Sequence, residues 1–156
     1  MVRGMIALAL TAGMLLALSI SALAANPHFV VDPVFTDLGD TVNVTGSVAG
    51  LGNEDITVVV DAVGTATLIC TNPGGNVAPG QTQQISASGV QENIHVENGR
   101  ANFNVTTDPP QLVGTPRELG CPNNKWTPSI TDVDFTSATL TVYQGGVAVL
   151  TETFLL

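Results

Sequence analysis

The strongest constraint on this chain is a period of two. Over residues 41–49, Val42, Val44 and Val48 alternate with Thr41, Asn43, Thr45 and Ser47. Successive side chains of an extended strand point to opposite faces, so such a segment buries one face and wets the other only as a β-strand. The pattern recurs downstream. Ile56, Val58, Val60 and Ala62 share one side of the next run, against Thr57, Val59 and Asp61 on the other. From Ala25 onward no window repeats apolar residues at i, i+3, i+4 and i+7 for long enough to specify a helix.

Turn residues divide this all-β chain into segments. Residues 28–35 form a first strand that Pro33, lacking a backbone donor, confines to an edge or shortens. Residues 56–63 and 65–70 are expected to pair as a hairpin around Gly64, and residues 83–88 to form a weaker strand. The sharpest local signal is Asn98-Gly99, because a two-residue type I′ turn needs positive φ at both central positions. That turn predicts Glu97 opposite Arg100, Val96 opposite Ala101, His95 opposite Asn102 and Ile94 opposite Phe103, each pair matched in polarity. Residues 126–135 and 138–144 read as two strands separated near Thr136-Ser137. A last hairpin turns at Gly145-Gly146, with Leu140 and Val142 on the face that receives Val147 and Val149. About eight to ten short strands at this spacing predict a two-sheet antiparallel sandwich, immunoglobulin-like in architecture. Trp126 follows both cysteines rather than lying between them, so the antibody type of core is not expected.

The amino terminus reads as a signal peptide. Arg3 supplies the positive start, residues 5–20 an apolar run, and Ala22-Leu23-Ala24 a small-residue cleavage site. The competing reading, a membrane anchor, needs a longer apolar run than one leading straight into a processing site. Removing 24 of the 156 residues leaves a single domain of 132, residues 25–156, expected to be secreted or periplasmic and not membrane-inserted. All thirteen acidic residues fall in that part, against Arg100, Arg117 and Lys125, a formal charge of −10. Nucleic acid and anionic lipid need basic patches, so neither is an expected partner.

Two cysteines in an exported chain predict a disulfide between Cys70 and Cys121, and neither lies in a Cys-x-x-Cys or Cys/His metal spacing. The loop it closes gives about 4 kcal/mol of stabilisation in the chain-entropy model. Cys70 opens the turn-rich segment Thr71-Asn72-Pro73-Gly74-Gly75-Asn76, and Cys121 precedes Pro122-Asn123-Asn124. The bridge therefore ties together two polar loops, residues 71–80 and 107–125. Asn72, Asn76, Arg117, Lys125 and Trp126 lie on or beside them and form a candidate interaction surface; Trp126 is expected to pack in the core rather than stand out as a stacking platform.

Catalytic signals are weak. His28 and His95 sit in no motif, and no Gly-x-Ser-x-Gly or His-Glu-x-x-His is present. Asn43-Val44-Thr45 and Asn104-Val105-Thr106 match a glycosylation acceptor pattern, here read as chance within strands. The calcium candidates are Asp132 and Asp134, which share a strand face, with Asp37 and Asp40 or Glu54 and Asp55 as weaker pairs; none forms an EF-hand loop. No other cofactor is expected.

The signal peptide, the strand ending in Cys70-Thr71-Asn72-Pro73-Gly74-Gly75-Asn76, the run Cys121-Pro122-Asn123-Asn124-Lys125-Trp126 and the threonine-rich closing hairpin resemble a group of small exported bacterial β-sandwich proteins of unassigned function. The resemblance covers most of the mature chain and implies no activity. The functional expectation is a secreted, non-enzymatic structural or adhesive component, with self-association or a cell-surface partner. The alternative is a ligand- or calcium-binding module that uses the disulfide-linked loops.

Overall fold

The computed structural model describes residues 26–156; the expected signal peptide and its cleavage site lie outside the described residues. Nine strands form two antiparallel sheets, and no helix longer than a single turn occurs among the described residues. In chain order they are β1 His28–Phe29, β2 Val34–Asp37, β3 Val42–Ala49, β4 Ile56–Thr71, β5 Val77–Pro79, β6 Gln83–Ile94, β7 Arg100–Thr106, β8 Thr127–Gln144 and β9 Val147–Leu155.

The smaller, four-stranded sheet is centred on β3, which pairs with β7 on one side and with β1 and β2 on the other. The first expected strand is thus one edge broken in two at Pro33. The five-stranded sheet is built on β4, with β8 and then β9 on one side, while on the other β6 pairs with Ile56–Ala66 and β5 with Ile69–Thr71 of β4 itself. Alternation places Val42, Val44 and Val48 of β3 and Ala101, Phe103 and Val105 of β7 on the inner face. They meet Ile56, Val58, Val60 and Ala62 of β4 and Leu140 and Val142 of β8, none more than 1% exposed.

β4 and β8 correct the sequence reading. Each is one continuous strand, not two, and they pair with each other along the whole of β4. Gly64 is no hairpin turn. It faces Phe135 beside a bulge, where a Cβ would stand 2.1 Å from the Asp134 carbonyl oxygen, so only glycine lets the two backbones approach. Thr136 and Thr131 are the extra residues of two bulges in β8, and both hydroxyls donate to β4 carbonyls, Thr136 to Val63 at 3.3 Å and Thr131 to Thr67 at 3.1 Å.

The Asn98-Gly99 turn forms, with φ of 51° and 73° and reciprocal hydrogen bonds between Glu97 and Arg100 at 2.8 and 3.0 Å. Its ladder ends with that pair, so the predicted Val96–Ala101, His95–Asn102 and Ile94–Phe103 pairings are not made. Glu92 and Asn93 bulge opposite Thr57, Asn93 takes φ 54°, and the chain crosses from one sheet to the other, β6 pairing with β4 and β7 with β3. The Gly145-Gly146 hairpin forms as expected, but a bulge at Val149 puts Leu150 opposite Val142 and leaves Val147 59% exposed.

The four-stranded sheet covers only half of the larger one. Its lower end is fixed by Thr107, the one buried polar residue among those described, whose N–H donates to the Val42 carbonyl and whose hydroxyl accepts from the Val42 N–H, both at 3.0 Å. Beyond that point the inner face of β4, with Ala66, Leu68 and Cys70, lies under residues 108–126, which contribute Leu119 and Leu112 to the same core.

Candidate functional site

The disulfide end is built from two tight turns rather than two loops. Asn72 donates its N–H to the Asn76 carbonyl, and its own carbonyl and side-chain oxygens accept from the N–H groups of Gly75 and Asn76, all within 3.0 Å. The chain returns at once as β5, with Cys70 opposite Ala78, so the expected loop 71–80 is a hairpin with a short third arm. Asn72 is half-buried and serves the turn, whereas Asn76 stands exposed.

Across the bridge, residues 115–121 form a single helical turn capped at both ends, which the sequence reading missed. Thr115 donates its N–H and its hydroxyl to Glu118 Oε2 at 2.7 and 2.8 Å, and the Glu118 N–H points back to Thr115 Oγ1 at 3.4 Å. This is a capping box with Pro116 in the first helical position. At the other end Gly120, at φ 87°, donates to the Arg117 carbonyl and Cys121 to that of Pro116, the paired bonds of a glycine-terminated helix. The signal was present as Thr-x-x-Glu followed by glycine. The hydrogen bonds from the Thr115 N–H and then its hydroxyl hold the Glu118 carboxyl below the usual carboxylate range.

This turn delivers Cys121 to Cys70, with Cα atoms 5.6 Å apart, and sets buried Leu119 against the core. Arg117 and Lys125 project into solvent from the same segment, and neither forms an ion pair with another described residue. Trp126 is half-buried at its end and is not among the side chains packed against the main core, contrary to the expected packing.

Asp132 and Asp134 lie exposed on the outer face of the larger sheet, opposite Thr67 and Thr65. No cluster of three or more His, Cys, Asp or Glu side chains able to hold a metal ion occurs among the described residues. His95 has a partner that sequence reasoning did not supply: its Nδ1 lies 3.2 Å from Asp55 Oδ1, with the two side chains 80% and 52% exposed. Asn43 and Asn104, the two acceptor-pattern asparagines, are diagonal neighbours on β3 and β7, Asn43 standing opposite Thr106 and Asn104 opposite Thr45, and Asn43 Nδ2 donates to Asn104 Oδ1 at 2.6 Å and to Thr106 Oγ1 at 2.8 Å.

The largest concentration of exposed apolar surface is elsewhere, on the side where β1 and β2 lie over β9. Phe154 of β9 packs against Phe29 and Phe35 with ring centroids 5.7 and 5.4 Å apart, closing the core at that side. On β1, β2, β9 and the residues flanking them stand Val30, Val31, Val34, Val147, Leu155 and Leu156, six of the eleven exposed large hydrophobic residues among those described. On the opposite side the sheet margins are covered. The Ser88 carbonyl of β6 accepts from Asp108 N–H, and the Gln91 side chain accepts from Asn104 N–H of β7, both at 2.8 Å.

Among the described residues no helix is long and apolar enough to cross a membrane, and the disulfide suits an oxidising compartment outside the cytoplasm. Compared with known protein families, characterised proteins and solved structures, the chain matches none.

Proposed function

We propose that this chain is an exported, non-enzymatic structural or adhesive component, secreted or periplasmic, built on an immunoglobulin-like sandwich. The strand pairing supports the architectural part. β1 and β2, β3 and β7 correspond to strands A, B and E of that fold, and β4, β8 and β9 to C, F and G, with β6 placed beside C.

The observation that carries the functional part is the asymmetry of the two sides. On one, β6 and β7 lie together and are bridged at Gln91–Asn104, with Asp108 bonded to Ser88; the other presents six exposed large apolar side chains along two sheet margins. Exposed large apolar side chains gathered on one side of a domain suit an interaction surface. The test is retention of labelled protein, beginning at Ala25, on producing cells and on apolar-coated surfaces, compared with a Val31→Lys, Val34→Lys, Leu155→Lys variant. The variant should bind markedly less; full retention would reject this side as the working surface.

The alternative, a ligand- or calcium-binding module, draws support from Arg117 and Lys125 on the disulfide-tied segment and from Asp132 and Asp134 on one strand face. Calorimetric titration with calcium, repeated on Asp132→Asn, Asp134→Asn, separates it from the first reading.

A further inference from the structure

We infer that β9 is a homotypic docking strand, and that two copies of this chain join their larger sheets antiparallel through it about a two-fold axis at Thr153. The inference rests on the open side being the working surface, and it names the partner as a second copy.

An edge strand with free N–H and C=O groups recruits another strand unless it is short, broken, charged or covered. The edges here differ in this respect. β5 has three residues and ends in Pro79; β1 and β2 are two short pieces broken at Pro33, with Asp32 in the gap. β6 and β7 lie against each other across the two sheets, with the Ser88 carbonyl bonded by the Asp108 N–H and the Asn104 N–H by the Gln91 side chain. β9 runs nine residues beside β8 with its other margin unpaired among the described residues, carries Glu152 as its one charge, and is held firm from inside by Phe154. It is the unguarded edge among those described. The matching edge on a second copy is the same strand, because every other margin is short, broken or occupied.

The residues also set the register. In a continuous antiparallel sheet directly opposed residues share a face, so the two-fold must pass through a residue and its copy. The bulge at Val149 leaves Leu150 onward as the regular stretch. An axis at Glu152 would oppose two carboxylates, which is destabilising. An axis at Thr151 runs into the bulge after one further pair. At Thr153 the pairs are Thr151 with Leu155 and Glu152 with Phe154, all within the regular stretch, and Leu155, 89% exposed, gains a neighbour. Thr153 already shares a 2.9 Å hydroxyl contact with Thr139, so a hydroxyl row would extend across the seam on the outer face.

Both copies are strongly acidic, so association should strengthen with salt as their mutual repulsion is screened. The experiment uses the disulfide-bonded chain from Ala25, at about 100 μM and about 0.5 M salt, where screening acts beyond roughly 4 Å. Light scattering should give a dimer mass. Under mild oxidation Thr153→Cys should cross-link at least ~10-fold faster than Thr151→Cys, since only position 153 meets its own copy at about 5 Å. Leu155→Lys should return the monomer with an unchanged unfolding midpoint. A monomer under these conditions, or equal cross-linking at 151 and 153, overturns the inference. A monomer that still adheres to surfaces rejects homotypic pairing and leaves the adhesive reading standing; a 153-linked dimer that adheres to nothing does the reverse.

Discussion

The two halves of the larger sheet are covered in different ways. From Ile56 to Ala62, β4 lies under a second sheet, where Val, Ala and Phe side chains alternate inward from β3 and β7 and need no covalent help. From Gly64 to Thr71 it lies under a segment without strands, held by one capped helical turn, buried Leu119 and the Cys70–Cys121 bridge. A sheet buries its partner through a repeating pattern and satisfies its own backbone in the ladder. A loop does neither, so each of its attachments must be supplied separately. The difference accounts for the length of this connection, which would be unusual as an unstructured loop in a compact domain.

The largest effect is expected where the halves meet. Gly64→Ala would drive a Cβ to 2.1 Å from the Asp134 carbonyl oxygen, a backbone contact that cannot yield without parting β4 from β8. A loss of about 4 kcal/mol or more is expected in urea unfolding. A midpoint within experimental error of the parent would show that the strands do not approach so closely in solution.

Removing the bridge in a Cys70→Ser, Cys121→Ser double variant should cost about 4 kcal/mol. The two halves should also separate in hydrogen exchange. Amides of Leu68, Ile69 and Cys70 should exchange through local opening, while those of Val58 and Val60 exchange only on global unfolding. Uniform loss of protection along β4 would mean that the halves form one cooperative unit.

A smaller contrast comes from truncating one core side chain in each cover. Phe103 packs over Gly46 and meets Phe29 edge-on at 6.1 Å, so Phe103→Ala should cost about 3–4 kcal/mol with an unchanged dependence on urea. Leu119→Ala should cost about 2–3 kcal/mol and expose the disulfide to reductant, because Leu119 seats the turn that carries Cys121. Equal rates of reduction in the two variants would remove the distinction between the covers.

What the sequence made legible follows the same division. Alternation is local information, and it places β3, β7 and the inward residues of β4 correctly. Gly64 and Thr136-Ser137 read as two turns because a bulge and a turn carry the same small and β-branched punctuation. In the folded chain they face each other, Val63 opposite Ser137 and Gly64 opposite Phe135, so one irregularity between long strands was read twice as an interruption. Asn98-Gly99 announces its turn, but how far the ladder runs depends on β4 competing for β6 as a partner, which neighbouring residues do not encode. The disulfide follows from two cysteines in a chain whose amino terminus reads as a signal for export. The capped turn beside it is too short to show a helical period, and only Thr115, Glu118 and Gly120 mark it. That β1 and β2 lie over β9 on the open side depends on which sheets they join, which neighbouring residues do not encode.

The smallest expected effect tests whether the loop cover is held by the attachments described. Glu118 accepts two hydrogen bonds from Thr115 in the folded chain, which favours its ionised form and lowers its carboxyl pKa below the ordinary value of 4.5. In the unfolded chain those bonds are absent and the carboxyl protonates at its ordinary pH. The unfolded state therefore binds the proton more readily in the interval between the two values. The contribution of Glu118 is fully present above the unfolded pKa and is lost as pH falls through the lowered folded one. Glu118→Gln can still cap the turn but cannot ionise. The advantage of the parent over this variant in urea midpoint should be constant from neutral pH to about pH 5 and shrink steadily toward pH 3. The Thr115 amide resonance should titrate with a midpoint below 4.5 in the parent and not at all in the variant. A difference that stays flat down to pH 3 would mean that Thr115 and Glu118 are not joined in solution, and that the loop depends on the disulfide and Leu119 alone.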